Sequence, residues 1–136
     1  MFGKALAIGA AALFASTQAQ TQEEIDAYPE FATNFAKYGM TWETIKVHTD
    51  DGYTLTVWHI TGTTDGGPIE ITKPAVLFQH GMGGSAEVWT MSPISLRSKK
   101  HYEPMAFQIA KMGFDVYLAN NSGTKYSQVH DLYTVD

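Results

Sequence analysis

The chain is 136 residues long, 44% hydrophobic and 12% aromatic, and its 14 acidic and 9 basic residues give a formal net charge of −5. Such a length and composition suit one globular domain with a modest core, and without a basic stripe to track phosphates no nucleic-acid partner is expected. Cysteine is absent, which excludes disulfides, thiolate nucleophiles and thiolate metal ligands.

Lys4 precedes an apolar run from Ala5 to Phe14, and small and polar residues then lead to Thr17-Gln18-Ala19. This is the pattern of a signal peptide cut after Ala19, so residues 1–19 are expected to be a leader and 20–136 the mature chain. The run is shorter than the ~20 apolar residues a spanning helix needs. No later run approaches that length, and no transmembrane span is expected.

Glu23 to Asp26 is mostly acidic, and Pro29 then opens a short amphipathic helix. Phe31, Phe35 and Tyr38 recur at helical spacing and Gly39 suits the C-cap; the aromatics are expected to pack on a sheet edge. Thr44 to Thr49 alternates as a strand does, with Ile45 and Val47 on one face and Thr44, Lys46 and His48 on the other. After the turn Asp50-Asp51-Gly52, Tyr53 to Thr61 alternates again, Leu55 and Val57 opposing Trp58 and Ile60. The two strands form a β-hairpin. Turn chemistry accounts for the paired aspartates without a metal or acid-base site. Gly62 to Lys73, rich in Thr, Asp, Gly and Pro, reads as a surface loop.

Pro74 to Ser85 (PAVLFQHGMGGS) is a short apolar run that stops at Gln79-His80-Gly81 and continues with Gly83 and Gly84. Continuous hydrophobicity suits a strand covered on both faces, as in a parallel sheet between helical layers. Ala86 to Met91 can begin a helix, with Ser85 as N-cap and Glu87 in its first turn. Ser92 to His101 is polar and basic, a solvated loop. Pro104 starts a further helix whose apolar set is Met105, Phe107, Ile109, Ala110 and Met112, and Gly113 ends it. Phe114 to Ala119 is a second strand, so the segment forms a parallel βαβ unit. His80–Gly84 and Asn120–Gly123 should then emerge at the same edge of the sheet, where ligands bind in such folds. Asn120 to Asp136 is polar, contains Tyr126 and His130, and shows no helix or strand of its own.

Three explanations of the glycine-rich loop compete. A phosphate cradle would need a Lys-Ser/Thr ending or a G-x-G-x-x-G spacing, and neither is present. The glycines could simply permit a tight turn after a buried strand. Or the loop could present a backbone N–H to the oxyanion of a tetrahedral intermediate in acyl transfer. The donor would then be the residue after His80-Gly81, which is Met82.

The chain resembles the N-terminal portion of the acid lipases, α/β-hydrolases that cleave triacylglycerols and cholesteryl esters, from about Tyr28 to His130. Asp50-Asp51-Gly52-Tyr53-Thr54-Leu55 resembles the family's E-D-G-Y-x-L hairpin, and Gln79 to Trp89 is similar, without gaps, to Q-H-G-L-x-x-S-A-x-x-W. Ala106-Phe107, Ala110, Gly113 to Val116 and Leu118-Ala119-Asn120 resemble the helix and strand that follow. The resemblance implies the N-terminal part of an α/β-hydrolase fold, a β-hairpin plus one βαβ unit of a mostly parallel sheet. It makes the Met82 N–H half of the oxyanion hole, with His80 and Gly81 setting the loop and Trp89 beside the acyl pocket. Ordinary core packing explains Trp89 equally well.

Ser122 stands where the family's N-S-R-G loop carries arginine, so any salt bridge of that arginine is missing. Asn120-Asn121-Ser122 forms a glycosylation sequon expected to be shielded at a strand end. No G-x-S-x-G elbow occurs, and His80 and His130 are not triad members. The expectation is therefore a fragment, inactive alone, in which the strands of Val76 and Val116 face an unfinished sheet edge. The resemblance implies a secreted or lysosomal protein whose intact form hydrolyses neutral lipid esters at a lipid–water interface, without cofactor or metal. The alternative is a non-catalytic secreted lipid-binding or interaction domain built on the same strands.

Overall fold

The computed structural model describes residues 22–93 and 101–134. The expected leader and most of the basic loop, residues 94–100, lie outside the described residues. The elements run α1 (Gln22–Ala27), α2 (Pro29–Lys37), β1 (Met40–His48), β2 (Tyr53–Thr63), β3 (Gly67–Pro68), β4 (Ala75–Gln79), a 3-10 turn (Ala86–Trp89), α3 (Met105–Lys111), β5 (Asp115–Ala119) and β6 (Val129–His130).

One mixed sheet has the order β1-β2-β5-β4, with β3 and β6 pairing onto β2. The hairpin pairs Thr44 with Trp58 and His48 with Thr54, as the turn chemistry predicts. β2 meets β5 antiparallel at Trp58↔Leu118, and β4 runs parallel to β5 from Ala75↔Asp115 to Gln79↔Ala119. The βαβ unit is thus as expected.

The core lies on one face of this sheet. Trp58, Ile60, Val116 and Leu118 point into it with Trp42, and α2 and α3 close it through Phe31, Phe35, Ala106, Phe107 and Ala110. Phe31 stacks on Trp58 at 3.6 Å, and Phe35 meets Phe107 edge-on at 4.8 Å. Each large apolar side chain so buried stabilises by about 1.5–3 kcal/mol. The α2 aromatics are therefore at the centre of the core rather than on a sheet edge, because the helix touches both β1 and α3.

Several expectations are corrected. β4 is covered on one face only: Leu77 is 63% exposed, since α2 and α3 touch each other and pack on the same side. Ile45 and Val47 belong to that less covered face, and Val47 is exposed; Trp42 and Trp58 anchor the buried one. Of the two strands expected at the unfinished edge, β4 alone has an unpaired side; β5, which carries Val116, lies between β4 and β2. The antiparallel hairpin takes the side of β5 that a purely parallel expectation leaves open.

The predicted 62–73 loop begins as strand, because β2 continues to Thr63 and Gly67–Pro68 folds back on it. The C-terminal polar loop contributes β6, with His130 opposite Tyr53. Residues 86–89 form only a 3-10 turn. The Ser85 hydroxyl makes no capping bond and donates instead to Glu87 Oε2 at 3.2 Å. Met105 of α3 and Met112 just after it are exposed, leaving Ala106, Phe107 and Ala110 as the buried face. No helix among the described residues is long and apolar enough to cross a membrane.

Candidate functional site

The site is built where β4 and β5 end together. Gln79 lies beside Ala119 in the parallel register, so the two loops that follow leave the sheet side by side. Gln79 Nε2 donates to Asn121 Oδ1 at 2.6 Å. His80 is almost fully buried between the loops. Its Nε2 accepts the Asn121 backbone N–H at 3.2 Å, and its Nδ1 lies 2.8 Å from the Gly81 carbonyl. An amide N–H can only donate and a carbonyl can only accept, so these partners assign the proton to Nδ1. The neutral ring thus locks one loop to the other.

Asn120 supplies the second lock. It is buried, its Oδ1 accepts the Ala86 N–H at 2.9 Å, and its Nδ2 donates to the Thr56 carbonyl at 2.9 Å. One amide therefore joins the glycine-rich loop to β2 across the end of β5. Both its polar atoms are engaged inside the protein, which shields the sequon as the strand-end position predicts. Ser127 extends the same network, accepting the Thr56 N–H at 2.9 Å and donating to the Asn120 carbonyl at 3.2 Å.

Between these locks, Gly81 to Gly84 makes a tight turn closed by Gly84 N–H to the Gly81 carbonyl at 3.2 Å. Gly83, its third residue, has φ 73°, which fits a type II turn and is the conformation an L side chain resists. Met82 stands at the crest with its side chain fully exposed. None of the hydrogen bonds among the described residues engages its N–H. Backbone donors held this way stabilise a developing negative charge without reorganising. An open cleft of about 540 Å³ separates Gly83–Ser85 from Ser122–Lys125.

Charge beneath the cleft is paired. Tyr126 OH donates to Glu87 Oε1, Lys125 Nζ lies 3.6 Å from the same oxygen, and Lys125 also pairs with Glu30 of α2. Burial and the bond to Glu87 push the Tyr126 hydroxyl up to about 12. The bond to Glu30 holds the Lys125 ammonium above its ordinary range, and the same contact holds Glu30 below the usual carboxylate range. The arginine expected at position 122 is absent, and Lys125 makes the ion pairs of this loop. Sequence reasoning missed Asn120, Glu87 and Lys125 as a set. The signal available was Lys125, the one cation in the polar stretch after Asn120.

Trp89 packs against Phe78 of β4 at 5.1 Å, and its buried indole N–H meets no partner among the described residues. It lies against the core, as ordinary packing predicts. His130 is remote from the loop and serves the hairpin turn. Its Nε2 lies 2.8 Å from the Asp51 carbonyl, and its Nδ1 accepts the Leu132 N–H at 3.0 Å. The structure thus brings His80, Gly81 and Met82 together with Asn120 and Asn121, sets Trp89 behind β4 and leaves His130 outside.

Residues 31–93 match the model of the partial alpha/beta-hydrolase lipase region. The chain is 32% identical over 112 residues to the gastric triacylglycerol lipase of Bos taurus, covering 79% of this chain and 26% of that protein. It is 30% identical over 111 residues to a tear acid lipase-like protein of Mesocricetus auratus, covering 82% of this chain and 26% of that one. With sterol esterase 2 of Saccharomyces cerevisiae it shares 27% identity over 99 residues, 73% of this chain and 17% of the relative. The chain spans about a quarter or less of the length of these relatives.

Proposed function

Because the chain belongs to the acid lipase family and carries the N-terminal part of its α/β-hydrolase fold, we propose that it provides the oxyanion-loop portion of a carboxylic ester hydrolase acting on neutral lipid esters. The observation that carries this is the Met82 N–H, presented at the end of β4 by a turn that His80 and Asn120 fix from behind. When a serine oxygen attacks the ester carbonyl, the carbonyl oxygen becomes an alkoxide. The Met82 N–H would donate to it, while the neutral His80 ring, with both nitrogens engaged, keeps the loop still and moves no proton. The serine, its base and its acid are not supplied by this chain, which contains no G-x-S-x-G. In this proposal residues 1–19 direct the protein into the secretory pathway, 20–136 form the N-terminal portion of the lipase domain, and Trp89 stiffens the wall behind the acyl pocket.

The test uses a chimera in which residues 31–93 replace the matching segment of gastric triacylglycerol lipase. The 136-residue chain alone should not hydrolyse tributyrin, whereas the chimera should. Met82→Pro in the chimera removes the proposed donor at a turn position that accepts proline, and turnover should fall about 100- to 1000-fold. Undiminished turnover in a folded Met82→Pro chimera would reject the assignment.

A further inference from the structure

On the sheet face opposite the core, one row of side chains crosses the strands. Glu43 of β1 is directly opposite His59 of β2, and His59 is directly opposite Tyr117 of β5. His59 Nδ1 lies 2.7 Å from Glu43 Oε1, and its Nε2 lies 2.7 Å from Asp115 Oδ1. Tyr117 stacks flat on the imidazole at 4.5 Å and donates its hydroxyl to Asp115 Oδ2 at 3.1 Å. His59 and Asp115 are mostly buried at 15% and 21% side-chain exposure, whereas Glu43 is open to solvent at 58%.

A carboxylate can only accept, and a neutral imidazole has only one N–H to give. Two carboxylates at 2.7 Å, one on each ring nitrogen, are both satisfied only if the ring carries two protons. We propose that His59 is a proton-operated brace of the sheet, an imidazolium that ties β1, β2 and β5 together in acid and releases one of its two ties when it loses a proton. The titratable groups facing the ring are Glu43 from β1 and Asp115 and Tyr117 from β5. Leu77 of β4, opposite Tyr117, adds none. Only the doubly protonated ring has a donor for each carboxylate, so both ties stand only while the imidazole carries two protons, a state imidazoles leave somewhere between about pH 5 and 8. The inference is independent of the proposed enzymatic role, since it concerns a face of the sheet away from the oxyanion loop.

Two measurements on the full chain decide it. Side-chain ¹⁵N NMR of the wild-type protein at about pH 5.5 should show both His59 ring nitrogens protonated. A single-tautomer neutral ring there, with the proton on a carboxylate instead, would overturn the proposal without any variant. Urea unfolding of wild type and His59→Gln should then differ by about tenfold in the unfolding constant at the acid end, and the gap should close by about pH 8. A gap of the same size at both ends would reject the proton dependence. Asp115→Asn, which keeps the shape but removes a charge, should reproduce the loss if His59→Gln does not fold, and a pH-independent loss in that variant would count against the brace.

Discussion

Replacing Asn120 by alanine is the sharpest perturbation of the loop architecture. The side chain serves two backbone groups of residues that are themselves fully buried, the Ala86 N–H and the Thr56 carbonyl, each at 2.9 Å. Asn120→Ala strips both, and no solvent reaches them. An unsatisfied buried polar group costs about 1–3 kcal/mol, so the pair amounts to about 2–6 kcal/mol, against a total of about 5–15 kcal/mol for a domain. With a urea slope of about 1–3 kcal/mol/M, the unfolding midpoint should fall by about 2 M. Asn120→Asp sharpens the test. Ionised, the new carboxylate still accepts from Ala86 but faces the Thr56 carbonyl with a lone pair. Protonated, it can serve both partners as the amide does, so its deficit should shrink as pH falls. A folded Asn120→Ala protein within about 1 kcal/mol of wild type would mean that this amide does not hold the loop to the sheet.

Two further outcomes are expected. Gly113 has φ 90°, a Cβ there would lie 2.7 Å from Thr72 Oγ1, and its carbonyl receives the N–H groups of Thr72 and Lys73 at 3.0 Å each; Gly113→Ala should cost at least about 1 kcal/mol, read as a lowered melting temperature. Tyr126, pushed up to about 12 by burial and by its bond to Glu87, should be among the last tyrosines to ionise in an ultraviolet titration, and Tyr126→Phe should remove that late step. The sign follows from the raised value: the unfolded chain loses this proton first, near pH ~10, so stability from Tyr126 is full below that pH and declines as pH rises to about 12. A Tyr126→Phe protein whose late step persists would reject the assignment.

Much of this was legible in the sequence where local chemistry decides. Asp51-Gly52 between two alternating runs specifies a hairpin, Pro29 and Gly39 delimit α2, and an apolar run, a helix and another apolar run specify the parallel pair β4 and β5. What was not legible depends on long-range pairing. Two-residue strands such as Gly67–Pro68 and Val129–His130 have too few residues to show a period, and only β2 gives them a reason to extend. Alternation separates the two faces of β1 but does not say which is buried, and Ile45 and Val47 look as core-like as Trp42. At the site, the motif singles out His80 and Met82 as candidates. Asn120 and His59 were not assigned their bonds, because their partners lie 34 or more positions away along the chain for Asn120 and on both flanking strands for His59.

The strand order has a kinetic consequence. β1 and β2 are neighbours in sequence, His48 pairing with Thr54, and a hairpin of this kind closes in about 1–10 μs. Trp58 and Leu118, by contrast, are 60 residues apart when β2 receives β5, and such non-local closures slow folding. The hypothesis is that the hairpin forms early and waits for β5. β4, with an uncharged Ala-Val-Leu-Phe-Gln edge, joins only with that late arrival. Pulse-labelled hydrogen exchange would then protect the amides of Val47 and Leu55 before those of Val116 and Leu118, and simultaneous protection would refute the order. The interval is the period when a chaperone would matter most to this chain, since an uncharged strand without a partner is a template for another copy of itself.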